Sequence, residues 1–235
     1  MNDKGSLSFN QNKPSNHAVI ILASGLSHRL GQPKQLLEKQ GKPLINYMTM
    51  LALVTQPKAV IVVIPQQNTA ITDVIETAVN RLTAPNASIQ IVSNPNPQLG
   101  MAKSLSLAID ALKSQYDLAM KRVLIMGVDQ VLLSASHLDQ LLAQDNIVVV
   151  SRYPNLDERF IIDDNKHDIV GVPLVVSYKV LKSWQSSLSG DKGLRHFIRA
   201  LAPEKVTTVA HSNLSYDIDT PKQLAYARQQ GWLDY

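Results

Sequence analysis

"HAVIILASGLSHRLGQPK", residues 17–34, runs from an apolar, β-branched segment straight into a turn holding two glycines, an arginine and a lysine. An apolar run of this length shows no alternation with polar residues. Its part AVIILA at 18–23 therefore reads as a strand buried on both faces, the kind that helices cover from both sides of a parallel sheet. In such sheets ligands sit outside the carboxyl ends of the strands, which puts the turn after Leu22 where a ligand is met.

The rest of the chain repeats the pattern. Short runs at 59–64 (AVIVVI), 88–92 (SIQIV), 122–126 (RVLIM) and 147–150 (IVVV) read as further buried strands. Between them, apolar residues recur at helical spacing: Ile71, Val74, Ile75, Ala78, Val79 and Leu82, then Leu105, Ala108, Ile109 and Leu112. Alternating strand and helix predicts an α/β fold, a Rossmann-like, mainly parallel sheet with helices on both faces. The later part is less regular, with runs at 171–176 and 205–210 and a last helix opened by Pro221. The first 16 residues, polar and poor in large apolar groups, read as a flexible tail, and residues 17–235 as the folded domain.

Composition limits what such a fold can do. With 235 residues and 45% apolar content, the chain is long enough to bury a sizeable core. It has no cysteine, which removes disulfides, thiolate metal sites and cysteine nucleophiles. No apolar run is long enough to span a membrane and no signal-peptide core precedes residue 17, so the expected location is the cytoplasm. The net charge of +4 is spread along the chain, which fits small acidic ligands better than nucleic acid.

The opening turn has the chemistry for such a ligand. Gly25 and Gly31 let backbone N–H groups approach closely, Arg29 offers a bidentate fork and Lys34 a point charge. By spacing alone the turn is equally a tight strand-to-helix connection with solvated cations, since it matches neither the Walker A nor the dinucleotide glycine pattern. Acids stand at other strand ends: Asp129 in "LIMGVDQV", and Asp217 and Asp219 in "YDIDTP". Such carboxylates suit a hard cation such as Mg²⁺, whose other positions phosphates and water fill. Asp129 also reads as an ordinary loop acid, and Asp219 as the cap of the helix that Pro221 begins.

Six stretches taken in order, "LASGLSHRLGQPKQLL", "NPNPQLGMAKSL", "GVDQ", "GVP", "SGDKGLRHFI" and "YDIDTPKQL", resemble the molybdenum-cofactor nucleotidyltransferases, most closely the cytidylyltransferase branch. The resemblance spans residues 22–224. It implies transfer of a nucleotide from an NTP, here CTP, to the terminal phosphate of molybdopterin, with release of pyrophosphate. It also implies Mg²⁺ as cofactor and a molybdoenzyme or its insertion chaperone as partner. Carried over by position, Leu22, Ala23, Ser24 and Gly25 lie against base and phosphates, while Arg29 and Lys34 hold the triphosphate and act in catalysis. Asp129 is the catalytic metal-binding acid, joined by Asp219, with Asp217 as the fallback. Asn94, Gly100 and Ser104 face the nucleotide, and Gly171, Gly190, Asp191 and Gly193 lie near the acceptor.

The chain departs from the family pattern at three places. Ser24 stands where the cytidylyl branch has a second alanine and the guanylyl branch a glycine. Its Cβ favours a pyrimidine, and its hydroxyl adds a group able to read a base edge. Val131 replaces a common proline, and Val172 a usual histidine or other polar residue. GTP in place of CTP as donor, a sugar or other small phosphate as acceptor, and a cofactor-binding carrier without turnover are the alternatives. Trp184 and Trp232 fall outside the motifs and read as packing residues.

Overall fold

The computed structural model describes residues 16–66, 72–73, 76–77, 79, 87–116, 120–155, 168–190 and 193–235. The first strand, β1 (His17–Leu22), is an interior strand of a seven-stranded sheet. Its companions are β4 (Ala59–Pro65), β5 (Ser88–Asn94), β6 (Arg122–Gly127), β7 (Val148–Tyr153), β8 (Ile169–Ser177) and β9 (Val206–Ala210), in the order β5-β4-β1-β6-β8-β7-β9. A two-residue hairpin of β2 (Glu38–Lys39) and β3 (Lys42–Pro43) stands apart.

The expected parallel arrangement holds from β5 through β6, with β1 registered on β4 at Ile20–Ile61 and on β6 at Ile20–Ile125. β8 is the exception, antiparallel to both β6 and β7, while β7 and β9 are again parallel. The region read as less regular thus contains a nine-residue central strand, Ile169–Ser177. Its glycine and proline obscured the strand pattern. Gly171 faces a shift of register opposite Val150 and Ser151, and Pro173 follows a cis peptide bond.

Alternation along the central strands divides the core between two faces. Val19, Ile21, Val60, Val62, Leu124 and Met126 face one layer, packed with helices α1 (Leu44–Val54), α3 (Ala135–Ala143) and α6 (Pro221–Gln229). Ala18, Ile20, Ile61, Val63, Val123 and Ile125 face the other, packed with α2 (Met101–Tyr116), α4 (Tyr178–Trp184) and α5 (Arg195–Arg199). Both faces being covered explains why these strands carry no polar alternation. In α2 the residues expected on the core face, Leu105, Ala108, Ile109 and Leu112, are all buried. Of the helix expected from Ile71 to Leu82, only Val79 among the named positions is described, and it is buried. The others lie outside the described residues, as do residues 1–15 of the expected tail.

Two short clasps fix the edges of the ligand end. The last helix is capped by Thr220, whose hydroxyl accepts from the Gln223 backbone N–H at 3.3 Å, so Asp219 is free of the capping role. The chain after α6 returns to the hairpin, where Asp234 accepts from the Gly41 N–H at 2.7 Å. Trp184 stacks on Phe197 and Trp232 packs with Tyr216 and Tyr226.

Candidate active site

A cleft of about 790 Å³ opens beyond the carboxyl ends of β1 and β6. That volume lies within the range of small-molecule sites, roughly 300–1,000 Å³. Leu22, Ser24, Gly25, Arg29, Lys34, Gly100, Ser104, Asp129 and Asp219 line it, as does Asp217. Motifs separated by nearly 200 residues therefore converge on one end of the sheet.

Lys34 is the centre of the charged part. Its Nζ donates to Asp129 Oδ2 at 3.0 Å and to Asp219 Oδ1, while Arg29 donates to Asp219 Oδ2 at 2.6 Å. The Lys34 side chain is only 12% exposed against 68% for Arg29, so the lysine holds the inner position. Burial alone would depress the Lys34 ammonium, but the two carboxylates outweigh it and raise its pKa above that of an ordinary lysine. Asp219 shows the complementary balance: burial pushes its pKa up, and its bonds to Lys34 and Arg29 bring it below the usual range. Among the described residues Asp217 has no such ion-pair partner. Burial, then the Asp129 and Asp219 charges, push its pKa up to about 6, with Lys34 opposing. Asp217 is placed by an isolated antiparallel bridge to Gln130, which brings the closing segment against the end of β6.

The uncharged part is built around Asn94. This buried amide donates to Ser24 Oγ and to Ser104 Oγ, each at 3.0 Å, and accepts from the Asn96 N–H at 2.9 Å. It supports the two serines from behind and does not line the cleft. Ala23 is likewise buried, its N–H donating to Val63 O at 2.9 Å. The Ser24 hydroxyl, expected to meet a base, already accepts from Asn94 and keeps its proton for a further acceptor. Of the two glycines, Gly31 adopts φ +76° as the turn requires, while a Cβ at Gly25 would meet nothing within 4 Å, so the space beside it is open.

The remaining expected residues fall elsewhere. Gly171 and Gly193 line a separate cavity of about 170 Å³ beside the cleft. Gly190 borders a surface groove on the other side of α2. Asp191 lies outside the described residues.

Several residues matter that local sequence did not reveal. Gln35, buried in the loop, donates to Ala23 O at 2.5 Å and to Gly25 O at 3.1 Å and so shapes the turn. Lys39 is buried under Tyr47 and donates to Val131 O at 2.5 Å, fixing the chain just after Asp129. Gln130 donates to Val172 O at 2.9 Å. Tyr153 lines the cleft away from any charged motif, and so does Arg195, which lies within the stretch SGDKGLRHFI at 189–198 without having been singled out there. A polar residue inside an apolar stretch was the only available signal, and it named no partner.

The acids suit a divalent cation. Lys34 Nζ lies between two carboxylates, where a positive charge is evidently favoured, and the donor atoms are all hard oxygens. Among the described residues no group of three or more His, Asp or Glu side chains is arranged to hold a metal. A cation on Asp129 and Asp219 would thus need further oxygens from phosphates and water, which is how Mg²⁺ binds.

Comparison with known proteins bears on the family and the fold. The MobA-like NTP transferase domain matches residues 19–206. None of the curated proteins matches the sequence. Among solved structures, the chain is similar to Rv0371c from Mycobacterium tuberculosis H37Rv at 19% identity and TM-score 0.67, covering 92% of this chain and 99% of that one. The same protein is known in complex with manganese. It is also similar to 4-diphosphocytidyl-2C-methyl-D-erythritol synthase from Anaerococcus prevotii, with 17% identity, TM-score 0.65 and coverage of 92% and 96%. A third is the inositol-1-phosphate CTP transferase from T. maritima, with 16% identity, TM-score 0.61 and coverage of 93% and 95%. The α/β sheet is the nucleotidyltransferase fold. No described helix is long and apolar enough to cross a membrane.

Proposed function

The chain belongs to the MobA-like NTP transferase family, and from that premise we propose that it transfers CMP from CTP to the terminal phosphate of a molybdopterin-type acceptor. Residues 17–235 would form the transferring domain, with Mg²⁺ held by Asp129 and Asp219. The observation that carries this reading is the Lys34–Asp129–Asp219–Arg29 network at the mouth of β1.

In the transfer, an oxygen of the acceptor phosphate attacks the α-phosphorus of CTP. A new P–O bond forms as the α–β P–O bond breaks, and the electron pair leaves with pyrophosphate. No side chain need become covalently attached. The protein's share is positioning and charge stabilisation. Bound Mg²⁺ would supply Lewis-acid neutralisation of the phosphate oxygens.

Charge exchange explains how Lys34 and Arg29 serve. Asp129, Asp217 and Asp219 bring three negative charges when ionised, against two positive charges from Lys34 and Arg29. Asp129 and Asp219 would hold the divalent cation, and the Lys34 ammonium, which they now bind, would serve the phosphates. Arg29, the more exposed, presents its planar fork to the same oxygens. Ser24 and Gly25 form the wall beside the base, supported by Asn94 and Gln35. The Ser24 Cβ, and the CTP-related names of the Anaerococcus and T. maritima proteins, favour CTP as donor.

The test is pyrophosphate release with each of the four NTPs, Mg²⁺ and molybdopterin. Turnover with CTP is expected. Preference for GTP would overturn the donor, turnover only with a sugar or polyol phosphate would overturn the acceptor, and none with any acceptor would indicate a carrier.

A further inference from the structure

Lys39 is a buried charge outside the cleft. It stands in the two-residue strand β2, is 9% exposed and does not line the nucleotide site. Its ammonium donates to Val131 O at 2.5 Å and lies 4.9 Å from the centre of the Tyr47 ring. Among the described residues no carboxylate is within ion-pair distance of it. Burial lowers its pKa from that of an ordinary lysine, with the Asp234 charge opposing. An apolar side chain would fill the same space at less cost, so a charge kept there points to a demand on geometry rather than on stability.

The geometry is that of the turn carrying Asp129. The Val131 N–H donates to Asp129 O at 3.0 Å and the Leu133 N–H to Gln130 O at 2.9 Å, so residues 129–133 form one tight turn. A hold on the Val131 carbonyl therefore acts on Asp129, two residues away. The hairpin that supplies Lys39 pairs only with itself and is too short to stand alone. Asp234 secures it: its N–H donates to Glu38 O at 2.9 Å, and its Oδ2 accepts from the Gly41 N–H at 2.7 Å. Arg228 of α6 donates to Asp234 O at 2.9 Å, and α6 opens two residues after Asp219. One clasp thus reaches both acids, through Lys39 to Asp129 and through α6 to Asp219.

We propose that Lys39 is a positioning residue: acting through Val131, it fixes the Asp129 carboxylate for the divalent cation shared with Asp219, and Asp234 holds Lys39 in place. The assignment rests on the transferase reading above and deepens it. A charged donor binds a carbonyl more strongly than a neutral one, which suits a hold that must keep one register. Displacing a reacting constellation by about 1 Å from a site remote from the chemistry costs about 10²-fold in rate, so a brace outside the cleft has a large lever on transfer.

The test uses the full chain with two variants. Lys39→Met keeps the length and the contact with Tyr47 but loses the donor, and Asp234→Asn keeps an acceptor for the Gly41 N–H but loses the charge. Mn²⁺ binding with and without CTP is read by electron paramagnetic resonance, metal-free CTP binding by calorimetry, and amide exchange by mass spectrometry. Lys39→Met should weaken Mn²⁺ about tenfold or more and leave metal-free CTP binding within about twofold. Exchange should quicken in residues 129–133 while β1 and β4 stay protected. In turnover, kcat should fall about 10²-fold with the KM for CTP little changed. Asp234→Asn should weaken Mn²⁺ about threefold alone and add nothing in the Lys39→Met background, since both act through one bond. Wild-type Mn²⁺ affinity in Lys39→Met, an equal loss of metal-free CTP binding, or additive effects of the two substitutions would each overturn the assignment. Should the melt show Lys39→Met unfolded, Asp234→Asn decides alone, and unchanged Mn²⁺ binding in it would overturn the assignment. Absence of pyrophosphate release from any NTP in the unaltered chain, with the Mn²⁺ and exchange effects intact, would break the transferase reading alone.

Discussion

Two polar networks lie at the same end of the sheet and are built on opposite principles. The one around Lys34 is charged and reaches water: Arg29 is 68% exposed, and Asp129 and Asp219 are about one-third exposed, at 31% and 28%. The other, around His137 behind β7 and β8, is neutral and sealed. His137 and Ser151 are buried, and His137 Nε2 lies 2.8 Å from Ser151 Oγ. The Pro173 carbonyl can only accept, so the Ser151 hydroxyl donates to it and must accept from His137 Nε2–H. That fixes the neutral tautomer and leaves Nδ1 without a partner among the described residues. Burial, aided by nearby His211, lowers the pKa of His137 to about 4. The difference teaches how each is used. Charges that must be exchanged for a ligand's charges stay within reach of solvent, while a group that only braces a wall is uncharged and closed off.

The sharpest break of this comparison is Asp129→Asn. The amide keeps the shape and loses the charge, so transfer should fall by about 10³-fold, as when a strong electrostatic contact to a reacting phosphate is lost. The melting temperature should hardly change, because a partly exposed ion pair contributes little to stability. Pyrophosphate-release kinetics and a thermal melt on one preparation decide it. A collapse of stability with activity per folded molecule intact would mean the charged network is structural.

Acid titration separates the networks by sign. His137 and the likewise buried His17 have pKa values lowered to about 4, so the unfolded chain binds more protons than the folded one between pH 6.5 and pH 4. Their contribution is fully present above pH 6.5 and is lost as pH falls toward 4, on the order of 3 kcal/mol for each if the shift stood alone. Asp217, raised to about 6, behaves the other way. Its folded form holds the proton longer, so its contribution declines as pH rises from about 4 to 6. Urea denaturation across this range should show the acid loss reduced in His137→Gln, and Asp217→Asn should remove the opposing slope. Identical pH profiles in all three proteins would erase the distinction.

A smaller effect is expected at Arg29. Arg29→Lys keeps the charge but loses the planar fork, and should cost about tenfold in kcat/KM at little cost in stability. Wild-type kinetics would remove Arg29 from the site. The smallest change concerns Ser24. Ser24→Gly removes the Cβ beside the base and should shift the CTP:GTP preference toward GTP by about tenfold, a typical size for steric selectivity. Ser24→Ala should retain the preference, with the Asn94 amide still held by Ser104. A marked loss of CTP use in the alanine variant would show that the hydroxyl reads the base.

Much of the fold was legible because burial on both faces leaves a mark in the sequence itself. Runs such as AVIVVI at 59–64 have no polar alternation, and the boundaries of β1, β4 and β6 follow within one residue. The strand at 169–177 was harder to read, since Gly171 and Pro173 interrupt the pattern that marks its neighbours. Its direction also cannot be deduced from apolar content. In the candidate site, the turn from Ala23 to Lys34 and the acids at 129, 217 and 219 stood out because glycines and charges at strand ends are conspicuous against an apolar background.

The sequence by itself determined the sheet, the end of it where chemistry is concentrated, and the residue types available there. Only the tertiary structure decided who meets whom: Lys34 between Asp129 and Asp219, Asn94 behind two serines, and Gln35 under the turn. The physical reason is range. Burial and backbone preference act residue by residue and so are written locally, whereas an ion pair or a cavity wall exists only after strands distant in sequence have been placed side by side.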